Sequence, residues 1–219
     1  MTVPPERDRY GAALLLLLAC VVVFAVADDG PWGRVLVLGT QGVAVLAIFR
    51  ASRVSRRLQR LSVTLVTVAV IAGGVSAVPE GLGGRWGPSA LALLLVVAAP
   101  VAIAHRLRRQ ARIDMTTVLG ALCLYVLAGL AFAYAYLLVG DVTGAAFFAQ
   151  GGEARSIDYV YFSFVTLATL GYGDLTAAGD LGRMLAVLQT VLGQLYLVGV
   201  VAAVVSKLGT VRGEAPPTG

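Results

Sequence analysis

Charge is scarce along this chain. Of its 219 residues only 13% are Asp, Glu, Lys or Arg, where a soluble domain carries about 25%. Hydrophobic residues make up 58% and the mean hydropathy is +0.86, which excludes an ordinary water-soluble fold and points to an integral membrane protein. Histidine is nearly absent. The single one, His105, opens a basic stretch and reads as a solvated boundary residue, not a metal ligand. The two cysteines, Cys20 and Cys123, lie inside apolar runs without zinc or redox spacing, so they read as small buried hydrophobes. No His/Asp/Glu constellation falls within the apolar runs, so a membrane enzyme is disfavoured. No inverted repeat with interrupted helices is present, which speaks against an active transporter.

Long apolar runs are abundant. They cover about 10–27, 32–49, 61–78, 89–104, 115–139 and 184–208, with Pro31, Pro79, Pro88 and several glycines in the turns. A spanning helix takes about 20 apolar residues, so the chain has room for six. A seventh run, 157–170, is too short to cross and reads as a re-entrant segment. Arginines orient the spans. Arg50, Arg53, Arg56, Arg57 and Arg60 join the second to the third; Arg106, Arg108, Arg109 and Arg112 join the fourth to the fifth. Short basic loops stay cytoplasmic. Asp28, Asp29, Glu80, Asp141, Glu153, Asp158, Asp174 and Asp180 fall on the opposite side. The expected topology is multi-pass in the plasma membrane, with both termini cytoplasmic and the short run entering from outside. The net charge of +5 then follows from topology and calls for no nucleic acid, although the basic loops would meet anionic lipid heads.

Two readings of these features compete with that topology. Ala25-Val26-Ala27-Asp28 has the small residues of a signal-peptide cleavage site, but Glu6 and Asp8 balance Arg7 and Arg9, unlike the net positive start of a signal peptide. The expectation is a retained first helix. The arginines from 50 to 60 recur every three or four residues, as in a voltage sensor. A sensor carries them inside the membrane field, whereas here they fall between two apolar runs. Strong voltage dependence is not expected.

The densest chemical signal is Thr169-Leu170-Gly171-Tyr172-Gly173-Asp174. A cation crossing a bilayer must exchange its water for other oxygens, because desolvation is costly. An ordinary strand points its carbonyls alternately to two sides. Glycine accepts positive φ, so Gly171 and Gly173 permit the mirror conformation at alternate residues. The carbonyls of Thr169, Leu170, Gly171 and Tyr172 can then face one axis and hold K+, with the Thr169 hydroxyl as a further layer. One chain supplies one such strand, so four must meet. Ser156 is a candidate N-cap and Asp158 suits the positive first turn of a short helix over 157–168, whose C-terminal dipole would favour a cation beyond it.

This segment resembles the potassium-channel pore family. Thr166, Thr169, Gly171, Tyr172, Gly173 and Asp174 match its T-x-x-T-x-G-Y-G-D pattern, and the likeness extends over 115–208. The resemblance implies an all-α integral membrane protein with six transmembrane helices, a re-entrant pore helix and filter loop, and a homotetrameric pore. It implies passive, K+-selective conduction with no cofactor beyond the permeant ion. Tyr172 would brace the filter against Tyr161 and Phe162, with Thr166 in support, and Asp174 would form an acidic ring at the outer mouth. Gly193 stands where a gating hinge is found, or serves close helix packing; Gly199 is a second hinge candidate. Three residues depart from the pattern. Leu170 replaces valine, Ala168 stands where threonine is frequent, and Val165 stands where some members place a carboxylate bonded to the mouth aspartate, a bond expected to be missing here. Gln194 either lines the cavity or hydrogen-bonds between subunits.

The implied organisation is a cytoplasmic N-terminus (1–9), a four-helix sensor-like region or collar (10–104), a basic linker (105–114), the pore domain (115–208) and a short cytoplasmic tail (209–219). That tail is too short for a ligand-sensing domain, and neither the opening stimulus nor a regulatory partner is legible. Two functional alternatives are a weakly selective cation channel and a non-conducting sensory or interaction subunit.

Overall fold

The computed structural model describes residues 5–27, 30–51, 64 and 115–212. The third and fourth apolar runs and both arginine-rich loops lie outside the described residues, apart from the backbone at 50–51 and residue 64. The described elements are five helices: α1 Pro5–Val26, α2 Pro31–Ala51, α3 Met115–Thr143, α4 Ser156–Leu167 and α5 Asp180–Arg212. Segments 117–143 and 180–203, within α3 and α5, are long and apolar enough to cross a membrane. α4 has 12 residues, a length of about 18 Å at 1.5 Å per residue, short of a hydrocarbon core of about 30 Å.

Helix ends follow from local chemistry. α2 opens on Pro31, which is preset for the first helical turn and gives up no needed donor. α3 stops where Gly144 turns to φ +64, the left-handed exit that glycine makes without strain. Correcting the expected start of α4, its N-cap is Arg155, in extended conformation, and Ser156 is already the first helical residue. The free donor of Arg155 is met from inside the helix: its N–H bonds the Asp158 carboxylate at 2.8 Å. Asp158 thus stabilises this terminus by a hydrogen bond as well as by its charge.

α1 presents Tyr10, Ala13, Leu17, Cys20 and Phe24 on one buried face. Their spacing of three and four residues is that of a single helical stripe. This stripe packs against Val37, Leu38, Ala44, Val45 and Ile48 of α2 and against Cys123, Val126, Leu127, Leu130 and Ala133 of α3. Apolar lipid competes equally for such side chains, so close van der Waals fit and polar contacts decide helix association in a membrane. Small Ala13 and Ala44 permit that fit. One polar contact ties α2 to α3: the Tyr134 hydroxyl donates to Gln41 Oε1 at 2.6 Å, both groups being buried.

α4 lies between α3 and α5, and its approach to α3 depends on Gly129. A Cβ at that position would fall 2.6 Å from Phe164 Cζ, inside the ring's contact distance. Overpacking of a tight core costs about 1–3 kcal/mol, more than the roughly 1 kcal/mol that alanine gains over glycine in helix propensity. Gly129→Ala should therefore lower the thermal stability of detergent-solubilised protein, and adding Phe164→Leu should restore part of the loss. Both are read from melting curves.

Candidate functional site: the 156–183 loop between two spanning helices

α4 ends with a Schellman turn that leads directly into the glycine-rich segment. Thr169 N–H bonds Thr166 O at 3.0 Å and Leu170 N–H bonds Val165 O at 2.9 Å, the paired bonds that close such a turn. The left-handed position of the turn falls on Thr169, at φ +58, where glycine is usual. A β-branched residue there is a genuine outlier and costs about 1–3 kcal/mol. Gly171 and Gly173 follow at φ +54 and +82. Every second residue from 169 to 173 is thus in the mirror half of backbone space. Thr166 acts in this turn through its carbonyl.

Side chains of the segment have little cover within one subunit. Leu170 is 57% and Tyr172 67% exposed, so neither packs into its own chain. Phe162, expected to brace Tyr172, packs elsewhere in its own chain. Its ring is buried on the other face of α4, at 5.0 Å from Tyr136, 5.6 Å from Phe148 and 6.0 Å from Phe147. This aromatic cluster joins α4 to α3 and to the loop before it.

Tyr161 has Asp174 as a hydrogen-bond partner. Its hydroxyl donates to the Asp174 carboxylate at 2.6 Å. A bond from α4 to Asp174 therefore exists despite Val165, supplied one helical turn earlier. That bond favours ionised Asp174 and the protonated phenol together. It holds Asp174 below the usual carboxylate value, helped by the N–H groups of Leu175 and Asp174, and pushes Tyr161 up to about 12. Asp174 thus keeps its negative charge at neutral pH.

The strand after Asp174 is fastened outward. Ala149 N–H bonds Thr176 O and Ala178 N–H bonds Phe147 O, both at 2.8 Å. The Gln150 amide closes the pair, accepting from Thr176 N–H and donating to Thr176 Oγ1, each at 3.1 Å. Arg183 Nε, in the first turn of α5, donates to Ala177 O at 3.1 Å.

Residues 120–210 match a family model described as "Ion channel". This segment is similar to that family. No curated protein matches the chain. Together with the two apolar helices, the match supports a membrane protein.

On α5 Gly193 is packed. A Cβ there would meet Leu167 Cδ1 at 2.7 Å and Leu167 O at 3.2 Å, whereas nothing lies within 4 Å of one at Gly199. The packing role of Gly193 thus has a visible partner, and α5 is unbroken across it. Gln194, the amide conspicuous in the sequence, is exposed on the single subunit.

The buried amide is one that sequence reasoning missed, Gln189. Its Oε1 accepts from the Tyr136 hydroxyl, and its Nε2 donates to Ser163 Oγ at 2.8 Å and to Ser163 O at 3.0 Å. Ser163 Oγ in turn donates to Gly129 O at 2.6 Å. The sequence carries a weak signal for it, a glutamine in an apolar helix five residues before Gln194.

Tyr161→Phe removes the donor and leaves the ring. The Asp174 pKa should then rise towards 3.8, so loss of its charge on acidification begins at a higher pH. The expected outcome is an Asp174 carboxylate that titrates at less acidic pH than in the wild type, read from its carboxyl NMR shift.

Proposed function

We propose that the chain is one subunit of a homotetrameric, potassium-selective channel that conducts K+ passively. The observation that carries this is the alternation of positive φ at Thr169, Gly171 and Gly173. With every second residue mirrored, successive carbonyls turn to one side, and a row of oxygens can stand in for the water around a desolvated cation. The site residues are then Thr169, Leu170, Gly171, Tyr172 and Gly173 as conduction path, the carbonyls of the first four as K+ ligands, and Asp174 as outer ring.

The tetramer rests on two arguments. One strand cannot surround an ion. The uncovered Leu170 and Tyr172 side chains, and the apolar α5 face of Met184, Val187, Leu188, Val191, Leu195 and Val198, supply the surface that neighbouring subunits would cover. α4 is read as re-entrant from the outside, which puts Asp174 at the external mouth. The six-span topology, with both termini cytoplasmic in the plasma membrane, follows from the arginine loops, and weak voltage dependence from their position between apolar runs.

Gly171→Ala tests the reading. No atom lies within 4 Å of a Cβ at Gly171, so in the single subunit the penalty is conformational, about 1–2 kcal/mol for each L-residue held in the left-handed region. In liposomes the wild type should pass K+ and reject Na+. The variant should keep its assembly state while losing at least about tenfold of that flux or selectivity, since about 1.4 kcal/mol is a factor of ten. A variant that conducts and selects as the wild type does would remove the filter assignment. Wild-type flux without K+/Na+ discrimination would favour a weakly selective cation channel. Silent protein would favour a sensory or interaction subunit.

A further inference from the structure

We propose that Gln189 is a positioning residue for the filter, acting through a one-way hydrogen-bond relay that fixes α4 against both spanning helices. The inference rests on the channel reading above and goes beyond it by naming the group that holds the pore helix in register.

The relay runs from α3 through α5 to α4 and back to α3. The Tyr136 O–H donates to Gln189 Oε1, the Gln189 amide N–H to Ser163 Oγ and O, and the Ser163 O–H to Gly129 O. Tyr136, Ser163 and Gln189 are each fully buried. The amide orientation is fixed by chemistry, because the Ser163 carbonyl can only accept and would repel the amide oxygen if the group were turned over. All donors then point in one direction along the chain, an arrangement in which each bond polarises the next. Gly129 completes it. The space that its missing side chain leaves for Phe164 brings α4 close enough for the Ser163 hydroxyl to reach a backbone carbonyl.

Ser163 lies six residues before Thr169. Between them is the helical turn whose carbonyls, Val165 O and Thr166 O, anchor Leu170 and Thr169. A rotation or slide of α4 is thereby passed to the strained turn that sets the first filter carbonyls. Apolar packing resists such motion weakly, because its contacts are non-directional. A relay of directed bonds specifies one rotation and one depth. The aromatic cluster around Phe162 supports the outer half of α4, and the relay is the polar constraint on its middle.

The test uses full-length protein in liposomes, with assembly checked by size-exclusion chromatography. Gln189→Leu removes all three amide hydrogen bonds at similar volume. Tyr136→Phe removes one hydroxyl and leaves Gln189 Oε1 without a donor, and is the variant that decides if Gln189→Leu fails to assemble. Each leaves a buried polar group unmatched, and the expected result is an assembled protein with a K+/Na+ permeability ratio reduced by about tenfold, or conduction lost about tenfold faster when K+ is withdrawn. The double variant should be no worse than Gln189→Leu alone, since both substitutions break the same relay. A merely structural role would lower melting temperature and leave the ratio and the rate of loss unchanged. That result in assembled Tyr136→Phe overturns the proposal, and additive effects in the double variant overturn the single relay. If the wild type itself does not select K+, the channel reading fails first, and that failure is visible before any variant is compared.

Discussion

The region from α3 to α5 is organised around a backbone segment that would not hold its shape alone. From Thr169 to Gly173 every second residue has positive φ. Two of the three are glycines, for which the conformation is free of Cβ strain. The third is a threonine, for which it is not. Strain of this kind persists only where the surroundings over-determine it, so the arrangement of α3, α4 and α5 can be read as what over-determines it. The Schellman turn grips one end, the Tyr161–Asp174 bond grips the other, and the paired backbone of 147–149 with 176–178 keeps the following stretch from sliding.

These restraints are predominantly polar, and their placement follows from the solvent. Apolar burial has little to drive it between helices already in lipid, while an unmatched hydrogen-bonding group is expensive there. Directed bonds among Tyr136, Gln189, Ser163 and Gly129 therefore specify geometry that leucine and valine packing would leave loose. Glycines at 129 and 193 serve the same end by admitting Phe164 and Leu167 to close range. The α1–α2 hairpin docks on the far side of α3, with Gln41 and Tyr134 as its polar link.

What the sequence discloses, and what it hides, divides along similar lines. Gly171 and Gly173 are legible because glycine repeated at alternate positions marks a backbone that needs positive φ at each of them. The spanning character of α3 and α5 is legible from composition, and the helical nature of 157–167 from Asp158 near its start. Thr169 at positive φ is not legible, since its conformation comes from the helix-ending turn and not from its own preference. A cap at Ser156 is off by one residue because Asp158 reaches back to the Arg155 N–H, the spacing of an N3 residue from its N-cap, which makes Arg155 the cap. Phe162 reads as a filter-side residue because aromatic residues at 159, 161 and 162 nearly surround α4. Which ring faces which neighbour depends on Phe147, Phe148 and Tyr136, residues 14 to 26 positions away. Gln189 is hidden for the same reason: its partners lie on two other helices.

The central claim is that carbonyls 169–172 of four chains share one axis and hold a dehydrated monovalent cation there. Its most direct test is structure determination of the membrane-embedded protein with rubidium in place of potassium, using the anomalous signal of that ion. The account predicts a fourfold assembly with rubidium peaks in a row on the axis, between successive layers of those carbonyl oxygens. An assembly without fourfold symmetry, or a fourfold one with no ion between the 169–172 carbonyls, would contradict it.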